Sequence, residues 1–292
     1  MNVYHAPGWQ SDWLNAWLAA LGVTRLLSNA RLAWSEDVVP HAIFYIEESD
    51  FAATLASAFP TEDALNQLAV ARSHPKAEFE FPRKVTRKEC ADRAALARCS
   101  HDGSLEALVT DLVESKISEC ADGPFNPPMQ RGITLYERLL DMRRALEPDA
   151  SQMTADSLRG VGSRVQKNGL GFDIRRFPTG AQASADVWVD PVIEFLCFYG
   201  LLLFPVRGTT KDRIGRQRRW LEVPSKSHAF TWPVWNQPLD VWAIDALLDM
   251  VWPESAAKRN AILGVQGMYG TVALKPKSSS DVSRGYGSER LW

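Results

Sequence analysis

The sequence contains no apolar run long enough to form a membrane-spanning helix. Crossing the hydrocarbon core takes about 20 consecutive apolar residues, and the most conspicuous apolar stretch here, residues 192–206, falls short of that length. The opening residues, Met1–His5, lack the basic region followed by an apolar region that marks a signal peptide. We therefore expect a cytoplasmic protein that has no contact with a membrane.

Cysteine and histidine are too scattered to indicate a metal centre. The four cysteines include no C-x-x-C pair, and no two of the five histidines lie four residues apart. We therefore expect reduced thiols, no metal and no cofactor. The cysteines are Cys90, Cys99, Cys120 and Cys197, and the histidines are His5, His41, His74, His101 and His228.

Recognisable catalytic motifs are missing as well. The sequence has no G-x-S-x-G nucleophile elbow, no Walker loop and no G-x-G-x-x-G turn. One short Gly-rich stretch, Gly160–Ser163, is typical of an ordinary turn. Since no catalytic residue follows from these patterns, we expect a protein that is not an enzyme.

One strongly basic segment stands out in a chain that is nearly neutral. The formal charge is −2 for the whole chain, but residues 164–220 hold ten basic and five acidic residues, which gives +5 there and −7 elsewhere. The charge is densest in Val206–Trp220, where six basic residues face the single Asp212. Such a separation of charge produces a directional field that selects partners.

We interpret this segment as a nucleic-acid-binding loop outside the hydrophobic core, because guanidinium groups pair bidentately with phosphate oxygens. A solvated basic loop without a ligand is the alternative interpretation. Gln217 and Asn236 are candidates for reading base edges. The candidate nucleic-acid-binding residues are Arg164, Lys167, Arg175, Arg176, Arg207, Lys211, Arg213, Arg216, Arg218, Arg219 and Trp220.

Hydrophobic periodicity predicts an α+β fold that is rich in helices, contains small β-sheets and has a Trp-rich C-terminal part. Four of the eleven tryptophans lie between residues 232 and 252, and we expect most tryptophans to anchor the core. Helices are predicted from an N-cap at Ser11 through residue 27 and over 50–58, 61–72, 87–98, 104–118, 133–147, 192–203 and 240–251. Strands are predicted over 31–34, 42–47 and 172–177.

A stretch rich in proline and glycine, residues 121–132, predicts an irregular connector. It separates an N-terminal α+β part, residues 1–120, from a C-terminal α+β part with the basic loop, residues 133–274. The last residues, 275–292, contain few apolar side chains and predict a flexible tail.

Two stretches of the chain resemble proteins encoded in type I-G CRISPR loci, formerly called type I-U. The first is Gly8-Trp9 followed by Leu18–Leu27, which fits an L-x-A-L-G-x-x-R-L-L helix. The second is Pro191–Arg207, which is similar to an E-x-L-x-x-x-G-L helix followed by a strand and a basic loop. It continues in a Trp-rich strand at Phe230–Trp235 and a closing helix after Pro238-Leu239.

This resemblance implies the large subunit of an RNA-guided surveillance complex of the Cascade type. Such a subunit has no catalytic site, lies near the 5′ end of the guide RNA and reads a short motif in duplex DNA. It helps to open the duplex and recruits a helicase-nuclease. The implied partners are therefore guide RNA, target double-stranded DNA, the backbone subunits and the helicase-nuclease. Because base pairing reads the sequence, the protein has only to grip the backbone and examine a few base pairs.

Two other functions remain open. The chain could be a guide-RNA-processing endoribonuclease of the same system, which would require His5, His41 or His228 beside a basic surface. It could also be an accessory protein-binding subunit whose basic loop grips an acidic partner. Nucleic-acid binding by the isolated chain, measured across salt concentrations, distinguishes these alternatives.

Overall fold

A computed structural model of the chain describes residues 1–72, 84–106, 109–116, 119–122, 135–167, 188–205, 218–223, 226–250, 264–273 and 286–291. The first elements are β1 (Asn2–Gln10), α1 (Leu14–Leu26), β2 (Arg31–Trp34) and β3 (His41–Ile46). These three strands form an antiparallel sheet in the order β1-β3-β2. Helix α1 therefore connects the two outer strands while β3 fills the space between them, which is a split β-α-β arrangement.

The middle of the chain is mainly helical and contains a second small sheet. Strand β6 pairs with both β4 and β5 in antiparallel fashion. The elements in chain order are α2 (Phe51–Ser57), α3 (Glu62–Asn66), α4 (Ala69–Arg72), β4 (Lys84–Thr86), α5 (Arg87–Cys99), β5 (Val109–Lys116), β6 (Glu119–Asp122), α6 (Leu135–Ala145) and α7 (Ala150–Arg159).

The C-terminal elements build a four-stranded antiparallel sheet in the order β12-β11-β10-β9. A separate two-stranded ribbon pairs β7 with β8. The elements are β7 (Val165–Gln166), β8 (Trp188–Val189), α8 (Pro191–Leu201), β9 (Trp220–Val223), β10 (Lys226–Trp235), α9 (Val241–Met250), β11 (Val265–Ala273) and β12 (Tyr286–Arg290).

Helices α1 and α8 form the centre of the molecule and touch backbone to backbone. Gly22 of α1 faces the carbonyl of Leu196, and Gly200 of α8 faces the carbonyl of Leu18. A Cβ atom built on either glycine would lie 2.0 Å from that carbonyl oxygen, so only glycine permits this approach. Every residue of α8 is buried, and so are residues 14–24 of α1, as expected of helices that are packed on all sides.

Tryptophan side chains join the four-stranded sheet to α1, to the residues just before α1 and to the sheet of β1, β3 and β2. The indole nitrogen of Trp17 donates to the Pro233 carbonyl oxygen at 3.0 Å, and that of Trp232 donates to the Ser11 carbonyl oxygen at 2.7 Å. The indole nitrogen of Trp235 donates to the carbonyl oxygen of Leu32 at 2.9 Å. Each ring buries a large apolar surface while its one polar group is satisfied across the core.

The α+β fold class predicted from the sequence is confirmed. Among the described residues, one large hydrophobic cluster runs from Ala6 to Met268 and Tyr269 and includes residues of both the N-terminal and the C-terminal part. Of the predicted connector, residues 121–122 end β6, and residues 123–132 lie outside the described part of the chain. The prediction of a flexible tail is wrong for Tyr286–Arg290, which form β12 because they pair with β11.

Three local predictions are wrong for identifiable reasons. Residues 109–116 within the predicted helix 104–118 form strand β5, because pairing with β6 overrides local helix propensity. The predicted helix 61–72 divides into α3 and α4. The N-cap position of α1 is Trp13, with no side-chain cap, because Ser11 lies further upstream and its backbone nitrogen donates to Pro40.

Replacing Gly22 or Gly200 with alanine should strongly destabilise the fold, since a methyl group would force the two central helices apart. Overpacking of this kind costs about 1–3 kcal/mol and sometimes more. The free energy of unfolding is measured by chemical denaturation followed by circular dichroism. Gly270→Ala is the control, because its Cβ would approach only the Leu291 side chain, at 3.3 Å. Equal stability of all three variants would contradict the close crossing.

Candidate functional site

Residues 206–217 lie outside the described part of the chain, but the residues on either side of them belong to the core. On the N-terminal side α8 ends at Leu201, and Leu203 and Phe204 are buried behind it. On the C-terminal side the chain is described again from Arg218, which leads directly into β9. The described residues that flank 206–217 on both sides are therefore part of the core.

Arg218 is held by the protein itself. Its side chain is only 3% exposed, and its Nη1 donates to the Leu203 carbonyl oxygen and to Asp245 Oδ1, both at 2.6 Å. Its Nε lies 3.0 Å from Asp249 Oδ1. The guanidinium also lies over the ring of Phe204, 5.9 Å from the ring centroid. Arg218 thus connects the residues just after α8 to the second half of α9.

Arg219 is buried as well and adopts a left-handed backbone conformation, with φ of 65°. Its Nε donates to the Thr231 carbonyl oxygen at 3.1 Å, and its Nη2 donates to Thr231 Oγ1 at 3.0 Å. The Thr231 backbone nitrogen donates in return to the Arg219 carbonyl oxygen at 2.8 Å. These bonds offset the strain that a positive φ imposes on a residue with a side chain.

The positive charge of Arg219 is costly in this position. Burial, reinforced by the neighbouring Arg218, lowers its pKa to about 9. The guanidinium still carries its charge at neutral pH, and it directs that charge at the carbonyl and hydroxyl of Thr231.

The prediction that the arginines of this loop lie outside the core is therefore wrong for Arg218 and Arg219, and Trp220, a predicted nucleic-acid-binding residue, is buried next to them. When backbone and side-chain atoms are counted together, Arg218, Arg219 and Trp220 are 7%, 4% and 8% exposed. The centre of the Trp220 ring lies 5.9 Å from that of Phe230. They position the segment and do not present a surface for phosphate. Their basic character does not distinguish them in the sequence from their neighbours; the signal that could have done so is the apolar strand that Trp220 begins.

The other predicted residues divide into two groups. Arg164 and Lys167 are exposed near β7, where Lys167 Nζ lies 3.7 Å from Asp141 Oδ2. Asn236 is exposed and donates to Glu36 Oε1 at 3.2 Å, which places it beside an acidic loop. The remaining predicted residues lie outside the described part of the chain: Arg175, Arg176, Arg207, Lys211, Arg213, Arg216 and Gln217.

A second cluster joins residues that the sequence keeps apart. His5 on β1 and His41 on β3 lie on paired strands, and His5 Nδ1 is 3.0 Å from His41 Nε2. On the other side of that ring, His41 Nδ1 is 2.9 Å from Asp37 Oδ2. Ser35 completes the cluster, because its Oγ donates to Asp37 Oδ2 at 2.8 Å and accepts from the His41 backbone nitrogen at 3.0 Å.

This network assigns the protons in the cluster. An ionised carboxylate can only accept, so His41 carries its proton on Nδ1, facing Asp37. The Nε2 of neutral His41 is then an acceptor, and His5 donates to it from Nδ1. Nε2 of the exposed His5 ring is then an acceptor.

Burial lowers the pKa of His41 below its usual value of 6.5, and His5 reinforces this, while Asp37 acts in the opposite direction. This shift favours the neutral form of His41. The sequence does not reveal this pair unless residues 2–10 are identified as a strand, and the β-forming residues Val3 and Tyr4 next to His5 are the signal for that strand.

The two stretches that carry the family resemblance pack against each other. Besides the crossing of α1 and α8, Trp9 Nε1 donates to Ser157 Oγ at 3.0 Å, and Ser157 Oγ donates to Asp190 Oδ2 at 2.6 Å. Asp190 caps α8 through the backbone nitrogens of Val192 and Ile193. Its pKa is raised because its carboxylate is buried.

None of the family models, curated proteins or solved structures compared with this chain is significantly similar to it. Across the described residues, no three histidine, cysteine, aspartate or glutamate side chains converge as metal ligands. Within the same part of the chain, no helix combines the length and apolar character needed to cross a bilayer.

Replacing Arg218 with alanine should lower the free energy of unfolding by about 1–3 kcal/mol, because the Leu203 carbonyl loses a partner and two carboxylates lose their cation. Arg164→Ala should change it by less than about 0.5 kcal/mol, because that side chain is exposed. Urea denaturation of both variants measures the difference. An Arg218 variant as stable as the Arg164 variant would show that the interactions with α9 contribute nothing.

Proposed function

We propose that this protein is a non-catalytic, nucleic-acid-binding subunit of an RNA-guided CRISPR interference complex. In this role it grips target DNA beside the recognition motif, the backbone of the guide RNA, or both, and helps to recruit a helicase-nuclease. The family resemblance of the two stretches motivates the class of complex. It acts in the cytoplasm, with the backbone subunits of the complex as its protein partners.

The observation that carries the binding role is the attachment of the basic segment to the core. Residues 206–217 hold Arg207, Lys211, Arg213 and Arg216 against Asp212, a net charge of +3 in twelve residues. The buried Arg218 and Arg219 follow this segment directly, and the buried Phe204, which precedes it, lies under the Arg218 guanidinium. A charged segment held at both ends loses less conformational entropy on binding than a free tail does.

This arrangement suits binding to the nucleic-acid backbone more than sequence reading. Lys and Arg side chains that meet phosphates release condensed counterions, which supplies affinity without base specificity. Sequence recognition is left to base pairing with the guide. Residues 206–217 hold four basic side chains, so they can neutralise at most four phosphates. Arg218 and Arg219 do not add to this number, because they are buried.

Changing Arg207, Lys211, Arg213 and Arg216 together to glutamine should weaken binding of target duplex and of guide RNA. In duplex DNA, the slope of log affinity against log salt should become shallower by about 0.9 for each phosphate that the variant no longer neutralises. Fluorescence anisotropy at several salt concentrations measures both quantities. Unchanged affinity and slope would refute the nucleic-acid role.

A matched variant controls for total charge. Arg25, Arg31, Arg72 and Arg98 are all exposed and lie outside the basic segment. Changing these four to glutamine alters the net charge of the chain by the same amount, so it should weaken binding much less if the interaction with phosphate is local. Equal losses in the two quadruple variants would mean that binding depends only on overall charge.

A second function, metal-independent cleavage of guide RNA, is favoured by one observation, the alignment of Asp37, His41 and His5. His5 Nε2 could take the proton of a ribose 2′-hydroxyl, after which the 2′-oxygen attacks the phosphorus and the 5′-oxygen leaves with a proton from water. The products are a 2′,3′-cyclic phosphate and a 5′-hydroxyl. This function ranks second because Glu36 and Asp37 lie in the adjoining loop and oppose the approach of phosphate.

If this second function holds, the wild-type chain should cleave repeat RNA in the presence of EDTA, and His5→Ala should slow cleavage by about 10²–10⁴-fold. His101→Ala is the control, because His101 is exposed and lies outside the cluster. Gel analysis of end-labelled RNA measures the rates. RNA left intact by the wild type, or cut equally by His5→Ala, would exclude His5 as a general base and leave the binding function standing.

A further inference from the structure

Helix α9 exposes an apolar ridge on the side opposite its buried face. Trp242 is 77% exposed and Met250 is 55% exposed, and exposed Ala246 lies midway between them. Residues spaced by four lie above one another on a helix, so these side chains form one continuous row. The buried face is formed by Ile244, Leu247 and Leu248.

The exposure of Trp242 is unusual for this molecule. Trp9, Trp17, Trp34, Trp232 and Trp235 are all fully buried. Tryptophan and methionine are enriched in the buried centres of protein interfaces, and tryptophan is among the commonest residues to dominate binding energy there. A row that joins the two is typical of a helix face that packs against another protein.

Acidic side chains line one side of this ridge. Asp245 and Asp249 follow Trp242 by three and seven residues, which puts them in the row next to it, and their side chains are 46% and 51% exposed. Arg218 is shared between these two carboxylates. The sequence 240–250 also holds Asp240 and no basic residue.

This charge selects the occupant. Phosphate groups would be repelled by the carboxylates, which disfavours RNA and DNA at this face. A second copy of the chain, packed across a twofold axis, would bring two acidic rows together. A basic protein segment satisfies both features, because its apolar side chains can cover the ridge while Lys or Arg pairs with the aspartates or lies over the Trp242 ring.

We propose that the outer face of α9 is the docking surface for a protein segment that combines apolar side chains with Lys or Arg. This inference rests on the proposed function in one respect, since it takes the partner from among the protein subunits of the same complex. None of the residues proposed to bind nucleic acid belongs to α9. Arg218 links the basic segment to this surface, because it directly follows that segment and pairs with the acidic row of α9.

The test uses the full chain coexpressed with the backbone subunits and guide RNA. A photoreactive benzoylphenylalanine at position 242 should crosslink to a protein subunit, within a peptide that contains Lys or Arg. The double change Trp242→Ser and Met250→Ser should reduce recovery of the complex by about tenfold or more. Trp188→Ser is the control, because Trp188 is also exposed, at 47%, but lies on β8.

Each outcome decides between the proposals. Crosslinks to RNA, DNA or a second copy of the chain, or equal recovery of the double variant and the wild type, would overturn the docking proposal and leave the proposed function standing. Failure to recover the wild-type chain with these subunits would overturn the proposed function, and docking with it. The double variant should keep the circular dichroism spectrum of the wild type and its affinity for nucleic acid. If either is lost, the reduced recovery of the complex results from misfolding, and the crosslink from position 242 decides the docking proposal.

Discussion

The structure depends on one interaction, the crossing of α1 and α8 at Gly22 and Gly200. Each glycine meets a backbone carbonyl of the other helix, so the two axes approach more closely than side chains would permit. The split β-α-β unit contains α1, and the C-terminal sheet reaches α1 through Trp17 and Trp232. Because all of these elements pack on a single helix pair, the described residues of both halves of the chain share one large hydrophobic cluster.

The same core gives a structural role to two arginines at the end of a basic run. Arg218 and Arg219 have the composition of a ligand-binding segment, but both are satisfied by carbonyls, carboxylates and a hydroxyl within the protein. A buried guanidinium needs such partners, because desolvation would otherwise disfavour its charge. The residues that remain for an external partner are those that precede Arg218. The basic segment is thus positioned by its own last two arginines.

The histidine pair illustrates the opposite case, in which distant residues acquire a shared chemistry. His5 and His41 are 36 positions apart, and antiparallel pairing of β1 with β3 brings their rings together. Asp37 and Ser35 then determine which nitrogen of His41 holds the proton. Neither the pairing nor the proton assignment follows from sequence spacing, because both depend on strand register.

The sequence alone determined the fold class, most of the helices and the concentration of charge, because periodicity and composition are local properties. The prediction for residues 192–203 was confirmed by α8, whose cap Asp190 and initial Pro191 are local signals. Tertiary structure decided that 109–116 is a strand, that Arg218 is buried and that Trp242 is not. These outcomes depend on which surfaces meet in space, because pairing and burial release free energy only when distant segments come together.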